Sequence, residues 1–298
     1  MNGREPPPRP DPRGLLSGIS AYLLWGLAPI YFKAVAAVPA PEVLSHRIIW
    51  SVVMLAPVLA SSNLRKEIKD CLGSRRTVLL LTLSSTLVAV NWLTAIYAVS
   101  TARVMQASLG YFLAPLASVA LGVVVLGERL RPAKRAAVAI AAAGVLVPAL
   151  LLSECPWIVL VLAVSFSFYG FLRKTMPAGP VAGTMVETWI LSPVAVGYLA
   201  LLGSASTARD PAVLGLLSLA GLVTSIPQLL FASAARRLPL AFLGLLQYLA
   251  PTVQLAVAVF LFGEPFSGVK ALSFGCIWVA LALFGFDAVR EARSSPKG

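Results

Sequence analysis

The chain has 298 residues, 58% of them hydrophobic and only 12% charged, with a mean hydropathy of +0.86 and a formal net charge of +12. A charged share about half that of an ordinary soluble domain excludes a fold wrapped in water and places the chain in lipid. Apolar runs of about 20 residues separated by short polar clusters match what a helix needs to cross a hydrocarbon layer roughly 30 Å thick. Barrel strands would instead alternate polar and apolar over ~10 residues, and these runs do not.

In chain order the pattern predicts a disordered cytoplasmic tail, rich in Pro and Arg, over residues 1–14. Ten spans follow, at 15–37, 43–60, 77–99, 103–126, 132–151, 155–172, 183–202, 212–234, 239–262 and 268–289, and residues 290–298 form a second cytoplasmic tail. No small-residue cleavage site follows the first apolar run, so it is read as a retained helix.

Positive charge alternates between the polar gaps. Arg4, Arg9 and Arg13 precede the first span, Arg65, Lys66, Lys69, Arg75 and Arg76 follow the second, and Arg129, Arg131, Lys134 and Arg135 follow the fourth. Arg173 and Lys174, Arg236 and Arg237, then Arg290, Arg293 and Lys297 continue the series, while the other side holds only Lys33, Arg103, Arg209 and Lys270. The positive-inside rule then sets both termini in the cytoplasm of a bacterial inner membrane and requires an even number of spans. Charge that follows topology in this way speaks against nucleic acid as a partner. Cys71, Cys155 and Cys276 lack any CxxC spacing, and His46 is the single histidine, so neither a metal site nor a cofactor is expected.

Half of the chain is written twice. Leu113-Ala114-Pro115, eleven residues, then Gly127-Glu128 recurs as Leu249-Ala250-Pro251, eleven residues, then Gly263-Glu264. The register holds from Leu93 with Leu229 to Lys134 with Lys270, at a constant offset of 136 positions. Five spans per copy is an odd number, so the second copy, 155–289, enters the bilayer from the side opposite to the first, 15–151. The expected fold is an all-α integral membrane protein of ten transmembrane helices in two inverted five-helix repeats, a construction common among secondary transporters, with a substrate site between the halves.

Prolines within spans each free the carbonyl four residues earlier, which at membrane depth is tolerated only inside protein or beside a wet cavity. Pro29, Pro115, Pro227 and Pro251 are the candidate hinges and free the carbonyls of Trp25, Tyr111, Val223 and Gln247, the competing reading being kinks kept for packing. Ala114, Ser118 and Gly122 form a small-residue stripe suited to close helix packing. Trp25, Asn91, Trp92, Tyr111, Gln228, Gln247 and Tyr248 lie deep and are the candidate lining of a cavity for a partly apolar organic substrate, although helix packing explains each alone equally well.

His46, Arg47 and Glu187 are the ionisable groups clearly within spans, and intramembrane charge is costly enough to mark function by default. Arg47 and Glu187 fall about one turn into corresponding spans, so inversion sets them at opposite membrane faces, with Lys33, Glu42 and Glu264 near the first and Arg173, Lys174, Arg236 and Glu128 near the second. Lys33, His46, Arg47, Glu187 and Glu264 are therefore candidate gate or coupling residues. Static pairs that tie helix ends together are the competing reading.

The segments AYLLWGLAPIYFK (21–33), EVLSHRIIWS (42–51), ASLGYFLAPL (107–116), GERLR (127–131), FYGFLRK (168–174) and QYLAPT (247–252) make the chain resemble the RarD branch of the EamA transporters, in the drug/metabolite transporter superfamily. The resemblance covers residues 15–290. It implies two five-helix EamA repeats and movement of a small-molecule metabolite or drug, by a monomer or homodimer with the lipid bilayer around it. The small multidrug members of that superfamily carry a proton-coupling glutamate in their first helix; this chain has none there, so their antiport mechanism does not carry over. An integral membrane enzyme acting on a lipid would need clustered nucleophiles or acid-base groups at one face, and a ligand-sensing membrane protein would need an output domain; a channel would be built as a symmetric oligomer. Fused to the C-terminus, a fluorescent reporter that matures in the cytoplasm is expected to light up, and alkaline phosphatase, which folds only outside, is expected to stay silent.

Overall fold

A computed structural model describes residues 11–100, 104–150, 157–263 and 268–293, and among these the regular elements are all helical. In order they are α1 (Pro12–Ala34), α2 (Ala40–Leu55), α3 (Ser62–Gly73), α4 (Arg75–Ser100), α5 (Val104–Val124), α6 (Pro132–Leu150), α7 (Trp157–Thr175), α8 (Pro180–Leu202), α9 (Pro211–Arg237), α10 (Leu240–Leu246), α11 (Leu249–Ala256) and α12 (Gly268–Arg293). A 3₁₀ segment, Ala56–Ala60, extends α2, and a π-helical turn, Val257–Leu261, extends α11.

Pro12, Pro132, Pro180 and Pro211 open α1, α6, α8 and α9. Their missing N–H would be unsatisfied in a first turn anyway, so proline starts a helix there without loss. Asp11 and Asp210 cap α1 and α9, accepting the N–H of Arg13 at 2.9 Å and of Ala212 at 2.8 Å. The first helix thus begins inside the stretch expected as tail; residues 1–10 and 294–298 of the two tails, like Glu264 and Cys155, lie outside the described residues.

Among the described residues seven helical stretches are long and apolar enough to cross a membrane: Pro12–Ala34, Ala40–Ala60, Arg75–Ala95, Trp157–Thr175, Pro180–Leu202, Pro211–Arg237 and Leu240–Leu261. Shorter apolar helix, Gly110–Val124 and Phe274–Leu283, lies within α5 and α12. Large apolar side chains stand on the outside, among them Leu201 at 89% and Phe260 at 88% exposure. In water such a surface would drive aggregation; against acyl chains it is an ordinary lipid face. α3 differs, with Arg65, Lys66, Glu67, Lys69 and Asp70 around a narrow buried stripe of Leu64, Ile68 and Cys71.

The helix pairings recur with the halves exchanged. α1 packs on α9 as α7 packs on α4, α5 on α7 as α11 on α1, and α2 on α9 as α8 on α4. α2 with α8, α6 with α12, and α5 with α10 join elements that correspond in the duplicated sequence. The recurring Gly-Glu signature has a backbone cause: Gly127 and Gly263 both adopt positive φ, 66° and 68°, a left-handed turn after a helix that favours glycine. The stripe of Ala114, Ser118 and Gly122 is buried, and Gly122 lies against the backbone N–H of Ala241 and the carboxylate of Glu128.

Bonds between turns sort the loops into two ends. At one end Arg237 pairs with Asp11 at 2.9 Å, holding that carboxyl below its usual range; Gly179 donates to Glu67 at 2.7 Å, Arg236 to the carbonyl of Ala178 at 2.5 Å, and Lys174 to that of Leu238 at 2.5 Å. At the other end Glu42 binds the α8–α9 connection, Tyr31 donates to the carbonyl of Leu216 at 3.2 Å, and the Lys33 ammonium sits 3.8 Å from the ring centre of Phe262.

Close approach is concentrated at glycines. At Gly221 a Cβ would fall 2.5 Å from the carbonyl carbon of Trp50, so α9 and α2 meet backbone to backbone. Gly221→Ala is expected to destabilise the protein by about 1–3 kcal/mol, the usual cost of overpacking. Gly215→Ala, on an exposed face of the same helix with nothing within 4 Å, should leave the thermal midpoint in detergent unchanged.

Candidate substrate cavity

Where α2 crosses α8, residues one turn apart line a small, partly open cavity of about 10 Å³, room for about one water. Its walls are Arg47, Ile48 and Ser51 from α2, Glu187, Thr188 and Leu191 from α8, Val88 and Trp92 from α4, and Gln228 from α9. Spacings of one, three and four residues put side chains on one helix face, and the two triplets 47, 48, 51 and 187, 188, 191 repeat that spacing. Trp92 and Gln228 are themselves 136 positions apart, so the two halves supply corresponding residues to one cavity.

Arg47 is 9% exposed, and its guanidinium carbon lies 2.9 Å from the centre of the Trp92 ring. Among the described residues no carboxylate lies within 4.0 Å of it. Glu187, 1% exposed, has one oxygen fully engaged: Oε1 accepts from the Ser84 hydroxyl and from Arg173 at 3.4 Å, while Oε2 has no protein hydrogen-bond partner. Arg173, 1% exposed, also donates to the carbonyls of Pro180 at 2.9 Å and Gly179 at 3.5 Å. Gly183 makes this possible, since a Cβ there would collide with the guanidinium.

The expectation that Arg47 and Glu187 stand at opposite mouths is corrected. They do not pair with each other, but both face the same space. α2 begins at Ala40 and α8 at Pro180, so each charge lies seven residues in (47 − 40 and 187 − 180), about 10 Å deep at 1.5 Å per residue.

The charges expected near Arg47 have other tasks. Glu42 is fully buried, accepting the hydroxyls of Ser206 at 2.6 Å and Thr207 at 2.9 Å and the N–H of Ala208 at 3.2 Å. His46 is buried with Nε2 unpartnered, and Lys33 rests on Phe262. Glu128 caps α10 by accepting the N–H groups of Leu240 at 2.6 Å and Ala241 at 2.8 Å, with Lys174 at 3.9 Å.

Of the seven candidate lining residues, Trp92 and Gln228 are in this cavity, Gln228 donating to the Tyr169 hydroxyl at 3.1 Å. Asn91 is spent on the Leu162 carbonyl and the Ser165 hydroxyl, both at 3.0 Å. Gln247 donates to Ser118 at 3.1 Å and Tyr248 to the Phe112 carbonyl at 3.1 Å. Trp25 belongs to an aromatic cluster with Tyr22, Phe166 and Phe231, its centroid distances 5.8, 5.8 and 5.6 Å, and Tyr111 is on the exposed side of α5. The residues that sequence reasoning missed are Ser84, Ser51 and Thr188. The last two bond the carbonyls of Arg47 and Thr184, four residues back in their own helices, and the only signal for them was their place one turn or one residue from a charge.

Two of the proline-freed carbonyls are taken up by protein. Gln254 donates to the Trp25 carbonyl at 3.3 Å, and the N–H of Ala250 reaches that of Gln247 at 3.2 Å. Pro29, Pro115 and Pro227 lie inside α1, α5 and α9. Pro251 does not interrupt a helix: the chain breaks at Gln247-Tyr248, and Pro251 sits in the first turn of α11, where no N–H is needed.

Apolar, outward-facing helices around a small cleft lined by buried charges define a multi-pass membrane protein. The sequence profile of the EamA-like transporter family matches residues 12–149. Protein RarD of Escherichia coli K12 is 40% identical over 289 residues, 96% of this chain and 98% of that protein. An uncharacterized transporter of Pseudomonas aeruginosa is 40% identical over 96% of this chain and 97% of its own length, and the chloramphenicol-sensitive protein RarD of the same organism is 30% identical over 96% and 97%. A solved crystal structure superposes with a TM-score of 0.68 at 21% identity, covering 93% of this chain and 98% of the other, which shows the fold alone. The chain belongs to the EamA family and is a RarD-type member of it, a bacterial membrane transporter of the drug/metabolite superfamily.

Glu187→Gln leaves Arg173 buried without its counter-charge and is expected to cost about 3–5 kcal/mol of stability. Adding Arg173→Met should recover part of that loss in the double variant. Additive losses in thermal denaturation would show that the pair is not coupled.

Proposed function

We propose that this protein is a secondary transporter that moves a small organic metabolite or drug across the bacterial cell membrane by alternating access. In this reading ten membrane helices form two inverted repeats, residues 15–151 and 155–289, with both termini in the cytoplasm and substrate and bilayer as the only partners required. The observation that carries it is the cavity itself: residues at equal depth in the corresponding helices α2 and α8, 47 and 187, 48 and 188, 51 and 191, line it together with the repeat pair 92 and 228. Two similar halves that meet at one site can exchange their conformations, opening the site to one side and then the other at comparable free energy.

Further support comes from the two ends of the bundle. The loops bonded together at the first end are those that follow the basic gaps, those at the second are poor in Lys and Arg, and this matches a cytoplasmic first end. Pro115 and Pro227 weaken α5 and α9, and the break at Gln247-Tyr248 divides α10 from α11, giving points at which the halves can flex. One relative's name refers to chloramphenicol sensitivity, and an amphenicol belongs in any substrate panel for that reason.

The test is uptake by purified protein in proteoliposomes of amino acids, nucleosides, organic acids and amphenicols, with and without a pH gradient. Saturable uptake with counterflow of unlabelled substrate is expected. Non-saturating flux at channel rates, or chemical conversion of a lipid without flux, would overturn the proposal.

A further inference from the structure

Of the two arginines buried among the described residues, one is neutralised by a carboxylate and the other is not. Arg173 has the Glu187 carboxylate and backbone carbonyls around it, while Arg47, also buried, has the Trp92 indole face and a cavity wall that carries hydroxyls. Cation–π contact attracts the guanidinium but leaves its charge uncompensated, and an isolated buried cation is too costly to hold without a role. Glu187 does not neutralise it in this conformation: its Oε1 serves Ser84 and Arg173, and among the described residues no carboxylate lies within 4.0 Å of Arg47. Together Arg47, Arg173 and Glu187 leave the site with one positive charge in excess.

Resting on the transporter reading, we propose that Arg47 is the docking point for a carboxylate on the transported molecule, which is therefore a small organic anion and not a neutral or cationic drug. A carboxylate matches the planar fork of a guanidinium, and stacking on Trp92 holds that fork in one plane, so the donors are oriented before the ligand arrives. The site's net charge then falls to zero in the loaded state, which lowers the cost of moving the ligand through the apolar layer. Oε2 of Glu187, buried and unpartnered, accepts a hydroxyl or ammonium hydrogen from the same molecule, and Gln228 lines the wall between. The conformation described is nearly closed around this site, so the ligand enters only after the halves move.

Purified protein in detergent is tested for thermal stabilisation by aliphatic, aromatic, hydroxy and amino carboxylic acids and by the methyl ester of each. Acids are expected to stabilise and their esters not, with hydroxy or amino acids ahead of the plain ones. Arg47→Gln should weaken the best acid by about 30-fold or more, the cost of truncating one partner of a buried charge pair, and abolish the preference over its ester. Arg47→Lys, which keeps the charge but not the fork, should give intermediate affinity and an intact preference, and it serves if the glutamine variant does not fold. Esters that bind as well as acids, a preference that survives in Arg47→Gln, or no stabilisation by any acid would overturn the assignment. Acid binding that depends on Arg47 without any flux in proteoliposomes would instead defeat the transporter reading and leave the site standing.

Discussion

A guanidinium inside a hydrocarbon layer must be neutralised in place or left for something that arrives, and the packing of α2, α4, α7 and α8 follows from meeting both conditions at once. Arg173 is neutralised by a set of groups drawn from two helices: Glu187 and the first carbonyl of α8, and Ser84 of α4 holding the carboxylate. Gly183 removes the side chain that would stand in the way. These bonds fix α8 against α7 and α4, and that in turn fixes the face of α8 that looks at α2. Arg47 then meets Trp92 and a cavity instead of a counter-ion.

The duplicated signature was legible in the sequence, and its chemistry is now specific. Glycine recurs at 127 and 263 because both positions turn the chain with positive φ. Glu128 follows because its carboxylate closes the open N–H groups at the start of α10, where a helix N-terminus favours negative charge. Ser118 and Gln254, also 136 positions apart, each bond to the partner helix of the other half, Ser118 to Ser167 of α7 and Gln254 to the Trp25 carbonyl of α1. Repetition of position therefore reported repetition of contact. Helix existence, the charge alternation and the family were readable for the same reason: they depend on composition along the chain.

What was not readable depends on direction around a helix and on its true start. Asn91, Gln247 and Tyr248 are as deep as Trp92 and Gln228, yet their azimuth turns them into interhelical bonds and away from the cavity. Depth along a span is a property of the sequence, while azimuth is set by which neighbour the helix finds. The placement of Arg47 and Glu187 failed for the second reason. α2 and α8 begin at Ala40 and Pro180, a few residues before the apolar runs do, which moved both charges from the expected first turn to the second. Ser84 carried no signal at all, because a lone serine within an apolar run is common and its value comes only from the carboxylate that reaches it.

The halves are alike in geometry but opposed in charge, and this bears on how such a carrier would cycle. Identical halves would give two states of equal free energy with nothing at the site to favour loading. Here positions 47 and 187 lie at equal depth in corresponding helices, yet one holds a cation facing the cavity and the other an anion already bound to Arg173. Exchange of conformation between the halves would therefore not carry the site into its own mirror image. The side on which Arg47 becomes accessible first is the side on which an anion gains the larger electrostatic attraction, since water screens the charge less while the site is narrow. In the proposed cycle duplication would supply the motion, and the unlike charges at this site would supply a preference between its two ends.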